Sequence, residues 1–292
     1  MDKKTVVKEI RLDGAEKIGE GAHAEVYRID EETIAKIYRN VEPLEEIRKE
    51  KELSKWAFVK GVPTAISYNI VRSGDRYGVV YELLDARSGP EYVRESAENL
   101  EDFAAKSVEL MNRIHAIEVR PGELPDMRSQ TLEWVDTCRK YLPGEICDWL
   151  ERLTEELPDS HTFLHADFHL KNIMVVKGEL MLIDMATVCA GDPIFEMATI
   201  YNSYMEFPSM TPEAAAFLGI DVDTATRLWN RTLDLYTQDA GREARANTEK
   251  MAQIFGCIRI IDFFDRRREH PDQKMGIETC VRDLTKRYRE AV

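Results

Sequence analysis

Two four-residue apolar runs, Ile173–Val176 and Leu180–Ile183, flank Lys177-Gly178-Glu179. Short apolar runs around a glycine-containing loop predict an antiparallel β-hairpin. A hairpin fixes where its ends go. Asn172 and Asp184 are equidistant from Gly178, so folding back sets them opposite one another. Both carry oxygen donors, the ligand type that a hard divalent cation such as Mg²⁺ prefers. Asp167 precedes Asn172 by one short loop, in His165-Ala166-Asp167-Phe168-His169-Leu170-Lys171-Asn172, and can reach the same place as a base. An ordinary hairpin with polar ends is the plain alternative, and it leaves the convergence of three such groups without a reason. His165-x-Asp167-x-His169 could also be read as a transition-metal site, since imidazole and carboxylate suit zinc or iron. That reading is disfavoured because His23, His115, His161 and His270 are scattered along the chain.

Around this feature the chain changes character once. Residues 5–39 read as a meander of short strands, with Glu25–Ile29 and Thr33–Arg39 alternating about Asp30-Glu31-Glu32. Pro43–Lys60 reads as a helix, ended by Gly61 and Pro63. Strands are expected at Thr64–Val71 and Gly78–Leu84, joined by Ser73-Gly74-Asp75. From Asp85 the pattern turns helical. Asn99–Ile117 places Phe103, Ser107, Leu110 and Ile114 on one stripe, and residues 129–157 and 193–292 are helical in pattern. The expectation is an α+β protein with a small β-rich lobe over residues 1–84 and a larger, mainly helical lobe over 85–292. A chain of 292 residues can build a core in each.

The net charge of −14 argues against a nucleic-acid or anionic-membrane partner and is compatible with a cationic small molecule. Five cysteines with no C-x-x-C spacing, no leader segment and no run of about 18 apolar residues point to a reduced, cytoplasmic protein. Nothing in the sequence sets an oligomeric state.

Ile18-Gly19-Glu20-Gly21-Ala22-His23-Ala24-Glu25-Val26 lies between two predicted strands. Small residues at Gly19, Gly21, Ala22 and Ala24 would let backbone N–H groups approach a phosphate chain. No helix follows, so this is not a dinucleotide-binding turn, and a G-x-x-x-x-G-K-[ST] loop is absent. On the next strand Ile34 and Lys36 share a face. A lysine amid Ile34, Ala35 and Ile37 needs a partner, and Glu50 supplies one. With Ile47, Ser54 and Ala57 it forms the stripe of the 43–60 helix that faces the sheet.

Taken in order, these pieces resemble the protein-kinase-like fold, closest to its aminoglycoside and choline phosphotransferase branch. They are the Gly19–Ala24 loop, Lys36, Glu50, the Val79–Leu84 strand, His165-x-Asp167-x-x-x-x-Asn172 and Ile183-Asp184. Gly191-Asp192-Pro193-Ile194-Phe195-Glu196-Met197-Ala198 then resembles the G-D-P-x-x-D-x-A element of that branch. The resemblance spans roughly residues 14–200. It implies transfer of the γ-phosphoryl group of Mg-ATP or Mg-GTP to a hydroxyl of a small molecule: an aminoglycoside, a choline-like amino alcohol, a sugar or an amino acid. It implies that Lys36 grips the α- and β-phosphates, Glu50 positions Lys36, Asp167 takes the hydroxyl proton, and Asn172 and Asp184 bind Mg²⁺. The backbone of Glu82 and Leu84 would meet the adenine edge, with Ile18, Ile34 and Ile183 on its faces.

Two departures are informative. Asp184 is followed by Met185-Ala186, and no Ala-Pro-Glu follows at an activation-segment distance, which points away from a protein kinase. Glu196 stands where the branch usually has Asp; it could hydrogen-bond the catalytic loop or join the acidic residues facing a substrate. Among those acidic residues, Asp262 and Asp265 lie three apart in Ile258–Asp265 and are the candidates for holding an amine. A non-catalytic nucleotide-binding protein on the same scaffold is the second reading.

Overall fold

The computed structural model describes residues 7–21, 23–39, 43–211, 216–267 and 269–292. The chain forms two compact units, one of residues up to 87 together with 174–186, the other of residues 88–173 and 187–292.

The first unit is a six-stranded sheet with a helix. Its strands are β1 (Lys8–Glu9), β2 (Lys17–Glu20), β3 (Ala24–Arg28), β4 (Thr33–Tyr38), β5 (Ser67–Ser73) and β6 (Arg76–Glu82), in spatial order β1-β5-β6-β4-β3-β2. The first stretch is therefore not a simple meander, because β1 leaves its sequence neighbours and pairs in parallel with β5. Alternation decides the faces of β4. Ala35 and Ile37 are fully buried on one side with Val71, while Tyr38 packs with Ala24, Ile47 and Val79 on the other. Lys36 thus projects on the face of Tyr38, opposite Val26 on β3 and Val79 on β6. The helix Leu44–Val59 begins just after Pro43 and buries Ile47, Glu50, Ser54 and Ala57, the stripe expected from spacing. Gly61 follows it at φ +87°, a conformation suited to glycine.

The strand expected at Thr64–Val71 starts later, at Ser67; Thr64 makes only an isolated bridge to Leu182. The expected Gly78–Leu84 strand is shifted two residues toward the N-terminus. Gly78 is required there, because a Cβ would stand 2.3 Å from the Lys36 carbonyl oxygen. The hairpin forms from Ile173–Val176 and Glu179–Leu182. Its turn is Lys177-Gly178, with φ of 51° and 85°, so the connection is a two-residue type I′ turn rather than the three-residue loop expected. Residues 174–186 belong to the first unit, whereas the sequence division placed the whole hairpin in the helical lobe.

The second unit is helical around the long helix Gly241–Asp265, against which Met127–Cys138, Ile194–Tyr201 and Gln273–Ala291 pack. Val135, Leu150, Leu164, Phe255, Ile258, Ile261 and Phe264 form its core. The stripe Phe103, Ser107, Leu110 and Ile114 is buried on helix Ala97–His115 as expected. A short antiparallel pair, Thr162–Leu164 with Cys189–Gly191, leads into and out of the loop that carries Asp167. Among the described residues no helix is long and apolar enough to cross a membrane.

Candidate active site

In the first unit the Lys36 Nζ lies 2.9 Å from Glu50 Oε1 and 3.0 Å from Asp184 Oδ1. The second Glu50 oxygen accepts from the Tyr38 hydroxyl, and the Tyr81 hydroxyl lies 3.5 Å from the first. Burial alone would lower the pKa of Lys36; Asp184 and Glu50 outweigh it and hold the ammonium above its ordinary value. Burial and the Glu50 charge push the Tyr38 and Tyr81 hydroxyls up, so both stay protonated donors. The result is a fixed cation between two carboxylates. Asp184 itself sits at φ +64°, a costly conformation for a non-glycine residue. Its side chain is 39% exposed, and with one oxygen on Lys36 the other is open to a cation.

The loop before β3 is tight, with the Gly21 N–H donating to the Ala24 carbonyl at 2.8 Å. Gly19 pairs with Val26 beside a register shift in β2. Ala22 lies outside the described residues. The Ala24 methyl packs against the core of Tyr38, Ile47 and Val79. Ile18 is exposed, while Ile34 and Ile183 are half-buried. In the segment leaving β6, the Glu82 N–H donates to Ile66 O and the Leu83 N–H to Glu32 O; Leu84 follows in extended chain. Glu20 bridges to Lys17 and Arg39, a clasp on the loop with no sequence signal.

In the second unit one peptide receives unusual support. Ala166, at φ +59°, precedes Asp167. Glu196 accepts the N–H of His165 at 2.7 Å and that of Ala166 at 2.9 Å. The Ala166 carbonyl accepts from Arg259 Nη1 at 2.6 Å, and the His165 carbonyl from the Thr187 hydroxyl at 2.9 Å. A left-handed alanine persists only where its surroundings over-determine it, and these bonds do so. Asp167 is thereby presented with its side chain 39% exposed. Asn172 Nδ2 donates to the Asp167 carboxylate at 2.7 Å and to its carbonyl at 3.0 Å. That leaves the Asn172 carbonyl oxygen as the end able to meet a cation. His169 Nε2 stands 3.5 Å from Asp167 Oδ2. Burial would raise the Asp167 pKa, but His169, Arg259 and His165 hold it well below the usual carboxylate range. His165 is fully buried and its Nδ1 accepts from the Asp167 N–H.

The three acidic residues expected at a substrate are occupied elsewhere. Glu196 is fully buried and its carboxylate is taken up by the His165 and Ala166 N–H groups, away from any substrate. Asp262 accepts from Thr137 and pairs with Arg266 at 2.7 Å. Asp265 accepts from Lys140 at 2.6 Å and Tyr141 at 2.7 Å. Spacing placed both aspartates on one helix face, but that face meets Thr137–Tyr141. Lys171 lies over the Phe217 ring at 3.9 Å, and burial lowers its pKa. Arg259 was missed, although a charge inside the apolar run Ile258–Ile261 is the same signal that singled out Lys36.

A profile of the phosphotransferase enzyme family, APH, matches residues 14–229. The chain belongs to this family. Solved structures with the same fold include an ADP-bound aminoglycoside phosphotransferase, APH(2'')-Ib, at 16% identity and TM-score 0.59, covering 92% of this chain and 91% of the other. A GDP and kanamycin complex of a related APH(2'') enzyme matches at 13% identity and TM-score 0.62, covering 93% of each chain. A choline/ethanolamine kinase family protein from Mesorhizobium loti matches at 12% identity and TM-score 0.61, covering 94% and 87%. No curated protein matches the chain in sequence. The expected protein-kinase-like architecture, a small sheet lobe and a larger helical part, is therefore the observed one.

Proposed function

We propose that this phosphotransferase moves the γ-phosphoryl group of ATP or GTP to a hydroxyl of a small molecule. The observation that carries the reading is the Asp167 carboxylate, held ionised and half-exposed by Asn172, His169 and a doubly anchored peptide. Bond making at the acceptor oxygen accompanies breaking of the bond from the γ-phosphorus to the departing diphosphate, and Asp167 receives the hydroxyl proton. Lys36, fixed by Glu50, is the group for the α- and β-phosphates. The first unit is then the nucleotide-binding lobe, with Gly19 and Gly21 near the phosphates and Ile18, Ile34, Glu82, Leu84 and Ile183 around the base.

Asn172 and Asp184 fit Mg²⁺: each keeps a carbonyl or carboxylate oxygen clear of its own partner. When bound, the ion supplies neutralisation of charge developing on the phosphates. The ADP and GDP in related structures support a nucleotide donor of either kind. Five buried free cysteines fit a reducing, cytoplasmic setting. Retention of every catalytic group disfavours the non-catalytic scaffold reading.

The test is acceptor-dependent nucleoside-diphosphate release with Mg-ATP and Mg-GTP, in wild type and Asp167→Asn. Release should fall about 10³-fold in the variant, with nucleotide binding intact by thermal shift. Undiminished turnover would remove Asp167 from its role.

A further inference from the structure

Arg259 has more donors than the protein uses. A guanidinium carries five N–H groups in a rigid fork. One nitrogen donates to the Ala166 carbonyl at 2.6 Å, and the group lies 5.8 Å over the Trp134 ring. Among the described residues no carboxylate stands within ion-pair distance of it. The side chain is half-buried, and its charge is felt by Asp167. It is therefore a pre-positioned cation beside the base, anchored on one side and unclaimed on the other. The carboxylates of the same helix that would suit an amine, Asp262 and Asp265, are spent on Thr137, Lys140, Tyr141 and Arg266.

We infer that the acceptor carries an anionic group, a carboxylate or a phosphate ester, which the free N–H donors of Arg259 grip while its hydroxyl faces Asp167. Planar bidentate pairing with either anion is what a fixed guanidinium does best. This rests on the phosphotransfer reading: the acceptor oxygen bonds to the γ-phosphorus, the diphosphate leaves, and Asp167 takes the proton. The anion is bound and unchanged.

The experiment compares nucleoside-diphosphate release across four arms: hydroxy acids (D-glycerate, 4-hydroxybutyrate), phosphorylated polyols (glycerol 3-phosphate, glucose 6-phosphate), neutral counterparts (glycerol, glucose) and cations (choline, kanamycin). Wild type, Arg259→Gln and Arg259→Lys are run in parallel. Turnover is expected in one of the two anionic arms, which also distinguishes carboxylate from phosphate. kcat/KM should exceed that of the neutral counterpart by roughly 10- to 100-fold, the worth of a charged hydrogen bond. In Arg259→Gln that preference should collapse, and Arg259→Lys should keep part of it. A variant that lowers kcat equally for all acceptors, with the preference unchanged, would make Arg259 a positioning residue and overturn the inference. Turnover confined to choline or kanamycin would overturn it too, while leaving phosphotransfer standing. If no arm turns over, calorimetric titration with D-glycerate and inorganic phosphate decides: binding lost in Arg259→Gln supports the inference, and no binding by wild type ends it. Failure of wild type to bind nucleotide would instead count against the phosphotransfer reading.

Discussion

Replacing Glu196 by Gln tests whether the peptide that presents Asp167 is held by charge. The carboxylate is fully buried and accepts two backbone N–H groups, at 2.7 and 2.9 Å. Hydrogen bonds to a charged acceptor contribute about 1.5–3 kcal/mol each. Glutamine keeps one carbonyl acceptor, now neutral, and turns an NH₂ group against the other N–H. The net loss is about 3 kcal/mol in the second unit, and misplacement of Asp167 should lower kcat about 10²-fold. The pH dependence gives a separate check. Burial opposes ionisation of Glu196, but His115 and His165 hold its pKa below the ordinary value. An acid depressed in the folded state adds stability that is full above its unfolded pKa, about 4.3, and is lost as pH falls toward the folded value. Glu196→Gln should lack that part of the acid slope. The assay is urea unfolding followed by tryptophan fluorescence in a Trp56→Phe background, so that Trp134, Trp149 and Trp229 report the second unit alone. A variant within about 0.5 kcal/mol of wild type, with kcat retained, would refute the reasoning.

Tyr38→Phe removes a buried donor to Glu50 and should cost about 1–2 kcal/mol in the first unit and raise the nucleotide KM several-fold; an unchanged KM would show that Glu50 holds Lys36 without it. Gly78→Ala drives a Cβ to 2.3 Å from backbone and should prevent stable folding of the sheet, read as loss of soluble protein or of nucleotide-induced thermal shift. Glu206 behaves oppositely to Glu196: burial pushes its pKa up to about 7, aided by Asp283. A raised acid is deprotonated first in the unfolded chain, so stability should fall as pH rises from about 4.3 to 7. Glu206→Gln should flatten that fall, and an identical pH–stability curve would contradict it.

Much of the site was legible because strand and helix periods sort side chains by face. Lys36 with Glu50, and Asp167 with Asn172, could be paired from spacing alone. What spacing does not contain is which neighbour a face meets. Asp262 and Asp265 share a helix face as expected, yet that face meets Thr137–Tyr141. The left-handed Ala166 and Asp184 were not foreseen, since neither residue type advertises a positive φ. The Lys177-Gly178 turn is shorter than the expected loop because Lys177 itself takes a positive φ beside Gly178.

The division of the chain has a consequence for synthesis. The first unit takes its last residues from 174–186, after the polypeptide has already traced 88–173 of the second. A ribosome making about 5–20 residues per second therefore leaves the β1–β6 sheet without Asp184, the counter-charge of Lys36, for several seconds or more. During that interval Glu50 alone balances the ammonium, and the N-terminal lobe waits on a segment that is encoded inside its neighbour.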